Sequence, residues 1–222
     1  NETIQMVVNL DGTATIRELD SYPLAHNFVD TLRRQSEHYR RKIQAGEAAA
    51  NAAGGIASAH DRVSFKSLIV PSDLAIDHSG KGLFHDKLYP THIGYETVEP
   101  RYSLVSEGNQ NLIFTAETYN GTFYKEVHLG KNSISVGYSF ERAMRGFLEI
   151  ELNLSMPSCD GPAGRYWFRG QCPGGFGQMQ KFTDLTELAL EDDVLSGSLV
   201  LQSSRPLTLT ARPFFTVSQS EA

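Results

Sequence analysis

From Arg101 to the last residue the sequence alternates apolar and polar side chains with a period of two, which restricts this part of the chain to β structure. The segments RYSLVSEG, NLIFTAETY, TFYKEVHLG, SISVGYSFE and GFLEIELNLS are separated by the turn signals Gly108-Asn109, Asn120-Gly121 and Gly130-Lys131-Asn132. GRYWFRG, MQKFTDLTELAL, SGSLVLQSS and LTLTARPFFTVS continue the pattern. Strands recurring every ~8–12 residues predict an antiparallel sandwich or barrel. In GFLEIELNLS the faces separate sharply. Leu148, Ile150, Leu152 and Leu154 share the side expected to meet the core. Phe147, Glu149, Glu151, Asn153 and Ser155 share the side expected to meet solvent or a polar cleft.

Upstream the pattern changes. Gln5–Leu10 and Ala14–Leu19 flank Asp11-Gly12 and read as a hairpin. Leu24, Phe28, Leu32, Tyr39 and Ile43 then recur at helical spacing behind Pro23, predicting a helix over about residues 23–43. QAGEAAANAAGG follows, a small-residue run predicting a mobile linker over about 44–57. The stretch from Ser58 to Pro100 is mixed and reads as loop-rich; it holds four histidines, His60, His78, His85 and His92. No internal repeat is visible.

With 222 residues, 40% of them hydrophobic, and a net charge of −6, the chain reads as a globular protein whose length allows one large β domain or two small ones; a single β-sandwich domain over 1–222 is expected. A chain of this length buries roughly 70% of its unfolded surface without covalent staples. No apolar run approaches the ~20 residues that cross a bilayer, so no membrane partner is expected. The acidic balance argues against nucleic acid, and the one basic cluster, RRQSEHYRRK, mixes its charges as a solvated helix face does. No signal peptide opens the sequence, which predicts a cytoplasmic chain. The start, NETIQMVVNLDG, already reads as strand and turn, as if it were a fragment of something longer.

Candidate chemistry is sparse. Ser218 and Ser220 lack the glycine elbow and following helix that a nucleophilic serine needs. His60-Asp61 and His85-Asp86 are sequence neighbours, which seldom face each other; His60 and Asp61 read as a hydrogen-bonded pair ordering the end of the linker. DHSGKG lacks the spacing of a phosphate loop. Cys159 and Cys172 read as reduced thiols with no second ligand at metal spacing, so neither a metal nor a cofactor is expected. Glu149 and Glu151 stand about 7 Å apart along one strand face, a distance compatible with paired carboxylates in glycosidic cleavage and equally with solvent-facing charges. Arg165, Trp167 and Arg169 would share one face of GRYWFRG, where an exposed indole between guanidiniums suits a sugar ring; the alternative is a tryptophan in the core.

One resemblance unites these pieces. GTATIRELDSYPLAHNFVDTLRRQSEHYRRKI is similar to the opening of the C-terminal β domain of glycoside hydrolase family 57 enzymes, the α-amylase and 4-α-glucanotransferase type. Glu18-Leu19-Asp20, Asn27, Thr31-Leu32-Arg33-Arg34, Glu37 and Tyr39 carry it. AHD at 59–61, IELNLSMP and FFTVSQSE resemble later motifs of the family in the same order. Arg40 and Phe215 depart from it, and the alanine-rich stretch is looser than the family pattern. The resemblance implies a large antiparallel supersandwich similar to galactose mutarotase, with the catalytic glutamate and aspartate on a (β/α)-barrel upstream. It implies a non-catalytic domain that packs on that barrel and is a candidate wall of an α-glucan cleft. Trp167, Arg165, Arg169, His60, Asp61, Glu151, Asn153, Ser218, Gln219 and Glu221 are then the candidate carbohydrate-binding or interdomain residues. Ser-Gln-Ser-Glu continues into a further strand in the family, so the end at Ala222 is expected to be a boundary. A free-standing mutarotase-type epimerase with a His and a Glu as acid and base, and an autonomous carbohydrate-binding module, are the alternatives.

Overall fold

Asp11 turns the start of the chain back on itself. Its Oδ1 accepts from the Thr13 backbone N–H at 3.0 Å and from the Thr13 hydroxyl at 2.6 Å, while Gly12 adopts φ +97°, a left-handed conformation that costs a glycine nothing. The flanking strands β1 (Ile4–Val8) and β2 (Ile16–Ser21) pair antiparallel, with a bulge at Val7/Val8. This is the expected hairpin. The computed structural model describes residues 2–29, 31–36, 75–77, 80–91, 96–159 and 161–214.

The expected helix over 23–43 is not present in its described part. The chain turns at Tyr22–Ala25, with Ala25 at φ +47°, and forms a short strand β3 (His26–Asn27) against β2. The reason lies in Asn27. Its Oδ1 accepts from the backbone N–H groups of Val29 at 2.9 Å and Leu19 at 3.4 Å, giving the backbone a local alternative to a helical ladder. Phe28 is buried and Leu24 packs against the core, whereas Leu32 is 62% exposed, so the described part of the apolar spacing marks two core contacts and not a helix face. Residues 37–43 and the expected linker at 44–57 lie outside the described residues.

The stretch expected to be loop contains β4 (Leu83–Pro90), which pairs with β2 on one side and with β9 (Gly146–Leu152) on the other. Together with β1 and β3 these make a sheet of order β1-β2-β4-β9 with β3 attached to β2. Between β4 and β9 in sequence run β5 (Ser103–Glu107), β6 (Asn111–Thr118), β7 (Gly121–Leu129) and β8 (Ile134–Phe140), a second sheet in simple sequence order. The third sheet has the order β11-β10-β12-β13, from β10 (Gly164–Phe168), β11 (Gln171–Gly175), β12 (Gln180–Asp192) and β13 (Gly197–Ala211). SGSLVLQSS and LTLTA, expected as separate strands, form the single strand β13. Every pairing between these strands is antiparallel, and the described residues contain no helix.

All three sheets contribute to one buried cluster: Ile16, Leu19 and Leu88 from the first, Phe114, Phe123 and Val127 from the second, Tyr166, Phe182 and Leu188 from the third. A polar clamp lies in this apolar setting. Lys125 of β7 and Asp86 of β4 are both buried and meet at 2.7 Å. Lys125 Nζ also donates to the Phe84 carbonyl at 2.6 Å, and the Asp86 carboxylate accepts from the hydroxyls of Tyr102 at 2.8 Å and Tyr138 at 2.7 Å. Burial pushes the Lys125 ammonium below its usual range against the opposing pull of Asp86. Burial first, then the Asp86 charge, holds both phenols protonated well above the ordinary tyrosine value. Neither ion is left without a partner, the condition under which a buried pair is tolerated.

By contacts the chain divides into two compact units, Asn1–Thr31 with Lys81–Arg212, and Leu32–Gly80 with Pro213–Ala222. The three sheets belong to the first. In the second, Arg34 donates to Asp77 through its backbone N–H at 2.7 Å and its guanidinium at 2.9 Å, and that guanidinium lies 4.4 Å above the Phe214 ring centre.

Candidate functional site

Strand β10 separates its aromatics as the alternation requires. Tyr166 is buried edge-on against Phe176 and Phe182, whereas Trp167 points outward, 38% exposed. Across the third sheet Trp167 stands opposite Ala189 of β12, and Ala189 opposite Val200 of β13; one row along, Arg165 stands opposite Glu191 and Glu191 opposite Ser198. A small residue beside a large one leaves a depression. An open cleft of about 490 Å³ runs from Trp167 over Ala189 to Gly197, rimmed by Glu191, Asp193, Ser196 and Ser198.

The arginine of this row is fully engaged. Arg165 donates to Asp193 at 2.6 and 3.1 Å and to Glu191 at 3.2 Å, and those bonds hold its guanidinium protonated above its ordinary value. Asp192, next to both carboxylates, is buried and structural: it accepts from the Ser158 N–H and hydroxyl and from the backbone of Val194 and Leu195, fixing the turn that ends the cleft. Among the described residues the Trp167 indole N–H, Glu191 Oε2 and the hydroxyls of Ser196 and Ser198 have no hydrogen-bond partner.

Arg169 does not join the face that sequence spacing gives it. It sits at φ +51° in the turn after β10, donates to the Asp184 carbonyl at 3.1 Å and lies 4.8 Å from the Phe168 ring centre. Asp184 is in the irregular stretch where the β12–β13 register shifts, so its carbonyl is available to a side chain. The sequence placed Trp167 and Arg165 on this face. It did not reveal Ala189, Glu191, Ser196 or Ser198, because the register that brings EDDVLSGS beside GRYWF is a tertiary property.

Glu151 lies in β9 of the first sheet, and Asn153 follows the end of that strand. Asn153 donates to Glu151 at 3.0 Å and Lys81 donates to it at 3.3 Å. Burial pushes the Glu151 carboxyl upward, but the Asn153 bond and the Lys81 charge outweigh it and hold it below the usual range. Glu149 accepts from the Tyr89 hydroxyl at 3.4 Å, and Phe147 stacks on Tyr89 with ring centres 4.7 Å apart. On the opposite face Leu148, Leu152 and Leu154 pack against the core as expected, but Ile150 is 37% exposed. His85 Nε2 lies 3.7 Å from Glu99 Oε2, and Lys87 shares that carboxylate at 3.6 Å. Cys159 and Cys172 are exposed and form no disulfide with each other. No cluster of metal-ligating side chains occurs among the described residues. His60, Asp61, Ser218, Gln219 and Glu221 lie outside the described residues.

Comparison with known proteins agrees with this architecture. The crystal structure of 4-alpha-glucanotransferase from Thermococcus litoralis superposes with a TM-score of 0.58 at 15% identity, a likeness of fold. The match covers 95% of this chain and 30% of that one, so the chain spans less than a third of the solved protein. No curated protein matches. A family model described as alpha-amylase/4-alpha-glucanotransferase, C-terminal, matches residues 1–222. The chain belongs to that family, the C-terminal domain of α-amylases and 4-α-glucanotransferases.

Proposed function

We propose that this chain serves as the non-catalytic C-terminal domain of an α-glucan-processing enzyme, that it packs on an upstream catalytic barrel, and that its sheets form a supersandwich of the galactose mutarotase type. One observation carries the reading: the partly or fully buried carboxylates described above are committed to structural partners. Asp86 is neutralised by Lys125 and two phenols. Asp192 holds a turn, and Glu151 is held ionised by Asn153 and Lys81. A glycosidic general acid needs a carboxyl raised toward neutrality and a second carboxylate facing the same bond. Glu151 is shifted in the opposite direction. His60, Asp61, Ser218, Gln219 and Glu221 would contact the barrel, and the Trp167 side would border the glucan.

The test is turnover. The purified 222-residue chain, incubated with maltoheptaose and followed by chromatography of the products, is expected to neither shorten nor disproportionate it. Turnover that disappears in Glu149→Gln or Glu151→Gln would overturn the proposal.

A further inference from the structure

We propose that the cleft over Ala189 is a binding groove for a neutral pyranose chain, an α-glucan segment held away from any bond cleavage. The inference rests on the α-glucan reading above for the ligand's identity; the groove itself rests on its own geometry.

The floor is apolar and low, because Ala189 sits directly across from Trp167 with Val200 on its far side. Neighbouring strands are about 4.8 Å apart, so the backbones that carry Trp167 and Val200 stand about 10 Å apart, with a gap over the small Ala189 side chain between them. A sugar ring can enter this gap with its C–H face against the indole. The volume, about 490 Å³, lies within the ~300–1,000 Å³ of ordinary ligand sites. Polar groups converge on the same space with capacity to spare: the indole N–H as donor, Glu191 Oε2 as acceptor, and the Ser196 and Ser198 hydroxyls as either.

The charges select among ligands. Arg165 is occupied by Glu191 and Asp193 and has no role as an anion receptor. Among the described residues the rim is thus rich in acceptors and offers no cation, which repels phosphates and uronates and favours hydroxyl donors. The Arg165 bonds also fix both carboxylates in place, so little side-chain entropy is lost when the groove fills. An aromatic wall, a small-residue floor and pre-positioned acceptors are what a neutral sugar requires.

Trp167 is the only tryptophan in the chain, so its fluorescence reports on this site alone. Titrating the 222-residue chain with maltoheptaose should shift its emission saturably. Ala189→Leu fills the floor at a half-exposed position and keeps the reporter; it should weaken binding by about tenfold or more with an unchanged melting temperature. Trp167→Ala should lose retardation in gels containing amylopectin. An unshifted emission in the parent chain, or equal affinity in Ala189→Leu, would overturn the groove. Chromatography of the same mixtures separates the two ideas. Turnover would defeat the non-catalytic reading and leave the groove standing, whereas absent binding without turnover would defeat the groove alone.

Discussion

At the scale of single residues, the Lys125–Asp86 pair is the most consequential interaction in the chain. Both side chains are completely buried, so Lys125→Met leaves a carboxylate with its phenols but without its cation. Loss of one partner from a buried pair costs about 3–5 kcal/mol. Urea unfolding should show a loss of that order, partly recovered in Lys125→Met/Asp86→Asn. An unchanged midpoint in the single variant would mean that the pair adds nothing. Glu151 gives a pH dependence. Its folded pKa lies below the ordinary value of about 4.3, so its contribution is fully present above that value and is lost as pH falls through the lower folded pKa. The stability gap between the parent chain and Glu151→Gln should therefore be widest near neutrality and close in acid, as urea midpoints across the acid range would show. A gap that widens in acid would reverse the assignment.

At the scale of elements, close packing decides what each strand tolerates. A methyl group on Gly164 would land on the edge of the Phe176 ring and 2.5 Å from the Ser158 carbonyl, where β10 enters the third sheet. Overpacking of this kind costs about 1–3 kcal/mol, so Gly164→Ala should lower the melting temperature, measured by circular dichroism. Elements were legible where local chemistry and tertiary need agree. The β1–β2 hairpin follows from Asp11-Gly12, and β5 to β8 follow from alternation between turn residues. Strand β4 was illegible because LFHDKLYP carries His85, Asp86 and Lys87 in succession. Asp86 is a buried charge whose partner is 39 residues downstream, and sequence-local reasoning assigns such a run to solvent. The helix expected at 23–43 failed in its described part for the converse reason, since Leu24 and Phe28 serve the core from a turn and a strand junction. The candidate site was half legible: period two separates Trp167 from Tyr166, but which face is outward and which small residue the register sets beside Trp167 are tertiary properties.

At the scale of the molecule, burial is uneven and amide exchange should map it. Phe123, Lys125 and Val127 of β7 are fully buried, and β7 is hydrogen-bonded on both sides. β5 is an edge strand with mostly exposed side chains. Amides of β7 should exchange slowest and those of β5 among the fastest by mass-spectrometric hydrogen exchange; protection of β5 equal to β7 would contradict this ranking. The strand order also bears on time. Strand β4 pairs with β9, and the whole second sheet lies between them in sequence. During synthesis β5 to β8 leave the ribosome, and can pair with their sequence neighbours, before the strand that covers the outer edge of β4 exists. For that interval the nascent chain carries an open edge available to strands of other chains. Slower elongation between Pro90 and Gly146 lengthens the interval, so the yield of correctly folded protein is expected to fall with it, as synonymous slow- and fast-codon versions of that stretch would show.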